Sequence, residues 1–207
     1  MSKPTIFTIG HSTHPIEYFR ELLVHYGVSC VVDVRSMPAS RFNPQYNKKS
    51  LLVSLNQYGM DYIHLGDAFG ARQIDPELLD HDGRVDFEKI RRSEKFKNGI
   101  QNLWSLTDKG HTVALMCSES EPIRCHRFSM ISIALTDFEV RHILKDKSVV
   151  SQEKLEQDLL QIYRKKLPQP DFFRPAITDA EKLKAAYEMI NREVGYVPST
   201  PKADSKK

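Results

Sequence analysis

Short apolar runs alternate with stretches of helical spacing along most of the chain. Residues 5–9 (TIFTI), 30–34 (CVVDV), 61–65 (DYIHL), 112–116 and 140–144 (VRHIL) have the length and β-leaning composition of strands. The first two are continuous enough to be buried on both faces of a parallel sheet. Between them the apolar positions recur with the period of a helix. Ile16, Phe19, Leu22, Leu23 and Tyr26 form one such face, and Gly27 closes it. Leu51, Leu52 and Leu55 form a second, and Phe96, Ile100, Leu103 and Leu106 a third. A run over 123–135 and an amphipathic stretch over 151–166, with Leu155, Leu159, Leu160 and Tyr163 on one side, complete the pattern. Residues 66–83 read as irregular.

Strands alternating with helices predict an α/β fold: a three-layer, mostly parallel, Rossmann-like sheet of about five strands with helices on both faces. The common strand order for this pattern is 3-2-1-4-5. It would make strands one and four neighbours and bring the GHSTH turn (10–14) against the turn after Cys117. The α/β domain is expected over residues 1–166. A Pro-rich connector with Pro168, Pro170 and Pro175 and a C-terminal helix, capped by Thr178 with Glu181, would occupy 167–196. Residues 197–207 read as a solvated, disordered tail.

Charge changes the picture little. The net +3 includes a tail with Lys202, Lys206 and Lys207 against Asp204, so about +1 is left on the body. A broad nucleic-acid-binding surface is not expected from that balance. No apolar run approaches membrane-spanning length, and no secretory signal is evident. Three cysteines do not make a disulfide framework, and a cytoplasmic location is expected.

The candidate chemistry is concentrated after the fourth strand, where Cys117, Glu119, Glu121, Pro122, Arg124, Cys125, His126 and Arg127 follow one another. A strand-to-helix turn at the carboxyl edge of an α/β sheet is where ligands of such folds bind. Cys125 is expected in the first helical turn, where the helix dipole and neighbouring cations favour thiolate. Cys125 or Cys117 as nucleophile, with His126 or His11 as base, is one reading. A zinc or iron site built from Cys117, Cys125 and His126 is a second. A reversible Cys117–Cys125 disulfide is a third, and two buried small hydrophobes the bland fourth. Glu119 reads equally as a general acid/base or as an ion-pair partner of Arg127. His11, Ser12 and His14 sit on the first loop, where a site role competes with helix capping. Arg35, Arg41, Arg72, Arg124 and Arg127 flank strand ends and suggest a pocket for a small anionic molecule or nucleic-acid component. Ordinary pairing with Asp33, Asp67, Glu119 and Glu121 is the competing explanation. Cys30, His64 and Trp104 read as packing residues.

Four ordered motifs carry a resemblance. TIGHSTH (8–14), DVRSMPASRFNPQYNK (33–48), YIHLGDAFGAR (62–72) and C-x-E-x-x-P-x-x-C-H-R (117–127) are similar to the signatures of the domain-of-unknown-function 488 family. Thr13 and Ala71 stand where that family often has asparagine and glycine. The resemblance runs from residue 5 to about 160, implies a compact α/β protein, and places Cys117 and Cys125 on a family signature. It supplies no substrate. The expectation is an enzyme acting on a phosphate- or nucleotide-like substrate at a Cys/His/Glu/Arg site. Catalytic roles fall on Cys117, Glu119, Cys125, His126 and His11, and substrate contacts on Ser12, Arg35, Arg41, Arg72 and Arg127. The alternatives are a nucleic-acid-binding module reading backbone through the 35–49 loop and a cysteine-pair redox or metal sensor. In the latter the C-terminal helix would serve as a partner or dimer contact.

Overall fold

The computed structural model describes residues 3–170 and 172–198. Its centre is a six-stranded sheet: β1 (Thr5–Gly10), β2 (Cys30–Asp33), β3 (Asp61–His64), β4 (Val113–Cys117), β5 (Glu139–Ile143) and β6 (Val149–Ser151). The order is β3-β2-β4-β1-β5-β6, parallel throughout except for the antiparallel β5–β6 pair. The α/β expectation holds, with a sixth, three-residue strand added at one edge.

Strand order departs from expectation at one place. β4 lies between β2 and β1 instead of outside β1, and β5 takes the far side of β1. β4 (VALMC) is buried at all five positions and suits a strand with neighbours on both sides. β1 and β4 remain neighbours as expected, with Gly10 opposite Cys117.

Alternate residues of the strands feed opposite faces, as the pleat requires. Ile6, Val32, Val113 and Leu115 pack with Phe69, Phe96 and Leu103, the last two from helix α5 (Glu94–Asp108). Phe7, Val31, Ala114 and Met116 pack instead with Phe19, Leu22 and Leu23 of α1 (Ile16–His25) and with Leu51 and Leu55 of α2 (Lys48–Asn56). The result is helix, sheet, helix. Helix α3 (Gly66–Phe69) and helix α4 (Phe87–Arg92) fall within or just after the stretch that reads as irregular.

A third apolar cluster joins α6 (Gln152–Tyr163) to α7 (Asp179–Val194), through Leu155, Leu159, Tyr187 and Ile190 around Phe128. The Thr178–Glu181 capping box forms as expected. Asn191 ties α7 to the body, its side chain accepting from Phe87 N at 2.8 Å and donating to Val85 O at 2.9 Å. All of the expected tail except its first two residues lies outside the described residues.

The α-helix expected over 123–135 does not form. Turns lead to His126, a π-helix occupies Arg127–Ile131, and a 3₁₀ turn spans Ser132–Ala134. Ser132 N closes the wider i→i+5 bond onto Arg127 O, and the Ser132 hydroxyl donates to the same carbonyl at 2.6 Å. Phe128 turns into the α6–α7 cluster while Met130 and Ile131 enter the sheet core. One face of a 3.6-residue helix does not serve both directions, and the wider turn does.

Candidate functional site

The site grows from the paired ends of β1 and β4. His11 N donates to Cys117 O at 2.9 Å and Ser12 N to Ser118 O at 2.9 Å, so the two exit loops run side by side. Ser12 takes a left-handed φ of 49° to do this. Gly10 makes the approach possible: a Cβ there would lie 1.8 Å from Glu119 O. The β4 loop therefore folds directly over β1 and brings Glu119 back toward Cys117.

Four side chains converge. One carboxylate oxygen of Glu119, Oε2, lies 2.7 Å from Cys117 Sγ and 3.2 Å from Cys125 Sγ. His126 Nδ1 lies 3.6 Å from Cys117 Sγ and 3.7 Å from Cys125 Sγ. All four ligand-type atoms fall within 4.8 Å of one another. Both cysteines and His126 are buried, while Glu119 is exposed as a residue and turns its carboxylate inward, which leaves the open side of the cluster to the glutamate. The cysteines are free thiols.

His126 has a fixed orientation. Nε2 sits 3.2 Å from Val34 O, and a carbonyl only accepts, so Nε2 carries the proton and Nδ1 turns to the sulfurs. Arg127 is fully buried beneath the loop. Its Nη1 donates to Glu119 O at 2.5 Å and its Nη2 to Ser120 O at 2.8 Å. It holds the loop by carbonyls and does not pair with the Glu119 carboxylate.

These groups titrate together. Burial pushes the Cys117 thiol well above its ordinary value. Burial acts the same way on Cys125 but is outweighed by the hydrogen bond with Cys117 and the positive charge of Arg127 and His126, which hold that thiol well below the ordinary range. Burial would lower His126, and the negative Cys125 raises it instead. Glu119 is raised by burial and then by Cys125. Without a further cation, the cluster favours negative charge on Cys125 over Cys117 and favours the protonated form of His126.

The donor set fits a tetrahedral metal. Zinc bond lengths of about 2.3 Å to sulfur and about 2.0 Å to nitrogen or oxygen imply ligand–ligand edges of roughly 3.5–3.8 Å. Both sulfur–nitrogen edges already have this length. The sulfur–oxygen edges, 2.7 and 3.2 Å, are shorter than this, so the Glu119 carboxylate would have to draw back to admit an ion. A histidine whose second ring nitrogen is fixed by a backbone carbonyl is the usual outer-shell arrangement of a metal ligand.

The other sequence-predicted residues divide. His11 is buried, stacked on Tyr46 with ring centroids 4.1 Å apart. Its Nδ1 is 2.8 Å from Ser12 O and its Nε2 3.1 Å from Arg35 Nη1, so both nitrogens are engaged, and burial lowers its pKa to about 4. Arg35 is committed to Asp33, donating from Nε at 2.9 Å to Oδ1 and from Nη2 at 2.6 Å to Oδ2. It also donates to Tyr46 O at 2.8 Å. For Arg35 the pairing alternative is what the structure contains. Arg124 pairs with Glu193 at 2.7 Å. Arg41 and Arg72 are exposed on the loops after β2 and β3, and neither has a carboxylate within ion-pair distance among the described residues. Arg72 is tied to the β2 loop by its backbone N–H, 2.9 Å from Ser36 Oγ. Sequence reasoning missed Val34, whose carbonyl orients His126, and Tyr62, whose hydroxyl donates to Asp33 at 2.7 Å. A backbone carbonyl leaves no sequence signal. Tyr62 lies on the third strand opposite Val31, two residues before the acidic end of the second.

A model of the family described as Domain of unknown function DUF488 matches residues 15–133, more than half of the chain, and the protein belongs to this family. The matched span holds three of the four sequence motifs, and TIGHSTH precedes it. No curated protein and no solved structure matches the chain. No helix among the described residues is long and apolar enough to cross a membrane.

Proposed function

We propose that this member of the domain-of-unknown-function 488 family is a zinc-dependent enzyme of the hydrolytic type. Cys117, Cys125 and His126 are its metal ligands, and Glu119 stands at the open fourth position. One observation carries the reading: His126 is fixed by Val34 O so that Nδ1 faces two sulfurs at near-tetrahedral separations, with a carboxylate oxygen in the same cluster. Two thiols, an imidazole and soft–borderline chemistry favour zinc over magnesium or calcium.

A bound zinc would supply Lewis acidity toward a substrate oxygen or a water. The chain supplies the rest. Cys117 and Cys125 would hold the ion as thiolates, a form that a bound cation would favour at Cys117 as well. Glu119, exposed at the mouth with its carboxylate turned to the two sulfurs, is placed to step back and accept or deliver a proton. Arg127 fixes the loop that carries Glu119, so it is a positioning residue. Arg41 and Arg72, exposed on the neighbouring loops and without a carboxylate partner among the described residues, support a small anionic, phosphate- or nucleotide-like substrate, with Arg72 also lying over the Tyr196 ring at 5.7 Å. Arg35 and Arg127 do not serve that purpose, because they are buried and turned to Asp33 and to the loop carbonyls of Glu119 and Ser120.

The test is metal content on freshly purified, untagged protein prepared without chelator, with Cys117→Ser and Cys125→Ser beside it. About one zinc per chain, lost in both variants, is expected. A metal-free wild type in which Cys125 alkylates near neutral pH ahead of Cys117 would replace the metal reading with thiol chemistry. A metal-free protein that gives a Cys117–Cys125 disulfide under mild peroxide would favour the redox pair.

A further inference from the structure

A second concavity lies away from the thiol cluster. A cavity of about 780 Å³ opens between α4, the π-helix, α6 and α7. That volume is in the range of sites for small organic ligands. Its lining mixes apolar side chains, Phe87, Ile133 and Leu183, with an unusual number of charged ones.

Most of the charge is already committed. The Asp86 carboxylate caps α4, accepting from Glu88 N and Lys89 N. Glu88 is paired with Arg92. Glu156 accepts from Tyr187 OH at 2.7 Å and from Gln152 Nε2 at 3.3 Å. Asp80 is spent on backbone N–H groups of its own turn, at Asp82 and Arg84.

In formal charge the lining is nearly balanced, and what singles out Arg91 is its position. Arg91 is half-buried, and its one hydrogen bond is a long 3.4 Å contact to Ser129 O. No carboxylate lies within 4 Å of its guanidinium among the described residues, although Asp86 and Glu88 are near enough to act on it. Burial lowers its pKa. Lys184, Arg192 and Glu188 face the same cavity, and among the described residues none of them is in an ion pair. A desolvated arginine fork without a carboxylate partner is costly unless a ligand supplies the anion.

We propose that this groove is a second ligand site, for a small metabolite bearing one phosphate or carboxylate group. Arg91 holds the anionic group, Lys184 and Arg192 flank it, and Ile133 and Leu183 take the apolar body. The back wall of the site is the π-helix. Ser129, which accepts from Arg91 there, donates through Oγ to Cys125 O at 3.4 Å. The ligand would therefore rest against the element that directly follows Cys125 and His126, which makes an effector role the natural one.

The experiment is a ³¹P line-broadening and calorimetric titration of the full-length protein with inorganic phosphate and AMP. Succinate tests the carboxylate arm. Wild type, Arg91→Gln, Ala180→Trp (which narrows the mouth from the first turn of α7) and Arg72→Gln are compared, each with its melting curve. Saturable binding of one equivalent of at least one probe is expected, weakened tenfold or more by Arg91→Gln and by Ala180→Trp and unchanged by Arg72→Gln. If no probe binds saturably to wild type, or if binding survives both groove variants, the proposal is wrong. Loss in Arg72→Gln alone would place the anion at the mouth of the thiol site instead. If Arg91→Gln does not fold, Ala180→Trp decides.

Discussion

Asp33 offers the most quantitative test of how the floor of the site is built. It is fully buried at the end of β2 and accepts from Arg35 N at 3.1 Å, Arg35 Nε at 2.9 Å, Arg35 Nη2 at 2.6 Å and Tyr62 OH at 2.7 Å. Arg35 is only 5 % exposed, so water does not replace the carboxylate. Asp33→Ala leaves a buried guanidinium and a buried phenol without their acceptor. Breaking a buried pair from one side costs about 3–5 kcal/mol. That is a large part of the roughly 5–15 kcal/mol that holds a domain together.

Arg35→Met should cost about as much, because it strands the Asp33 carboxylate and takes donors from Tyr46 O and His11 Nε2. The double variant should cost no more than either single, giving a coupling energy of roughly 3 kcal/mol. Urea unfolding of the four proteins at pH 7 and constant salt measures this directly. Additivity within about 0.5 kcal/mol would refute the reasoning, because it would mean that each group finds solvent or another partner when the other is removed.

Two further outcomes follow from named contacts. His142 is buried, bonded to Thr8 at 2.8 Å and Gln152 at 2.9 Å, and burial holds its pKa at about 4. Unfolding raises it to its ordinary 6.5, so the unfolded chain binds the proton first and stability falls as pH drops from about 6.5 to 4. His142→Gln should flatten the profile by about 2 kcal/mol between pH 6.5 and 5, at roughly 1.4 kcal/mol per pH unit, and a variant profile parallel to wild type would contradict it. Gly10→Ala places a methyl group against Glu119 O and must push the β4 loop off β1. Overpacking of this kind costs about 1–3 kcal/mol. Chelator competition should show zinc affinity down at least tenfold, and an unchanged affinity would detach Gly10 from the site.

The cluster was legible because its chemistry lies within eleven residues, between a buried strand and an apolar run, where an α/β sheet presents side chains at its edge. The fate of the arginines was not. Arg35 and Asp33 are two residues apart at the end of a strand, and nothing in the spacing says whether the fork turns back to its neighbour or outward to a ligand. Strand order was misread for a similar reason. Two continuous apolar strands fit equally well at either position, and what puts β4 at the centre is its ability to take partners on both sides. The π-helix was invisible because apolar spacing over 123–135 fits a 3.6-residue period well enough, while the demands of Phe128 and Met130 in opposite directions arise only from tertiary packing. The groove by α7 draws its lining from residue 80 to residue 192, so no local window contains it.

The three readings of the cysteine pair differ in what else they require. A redox couple needs two sulfurs able to meet and a path for the oxidant. It has no use for a glutamate whose oxygen bridges both sulfurs, and none for a histidine fixed through its far nitrogen. A lone thiolate nucleophile needs one lowered cysteine and one base. Here His126 is held at its Nε2 by Val34 and has both sulfurs at nearly equal distance from Nδ1, so it is not dedicated to either. A metal centre uses every one of these features together. Its ligand set requires both sulfurs, its geometry requires the fixed imidazole, and its chemistry requires an acidic residue on the one side open to solvent. The buried Arg127 then has a role as well: by holding the carbonyls of Glu119 and Ser120 it fixes the loop that closes the site, and its charge offsets part of the negative charge gathered above it.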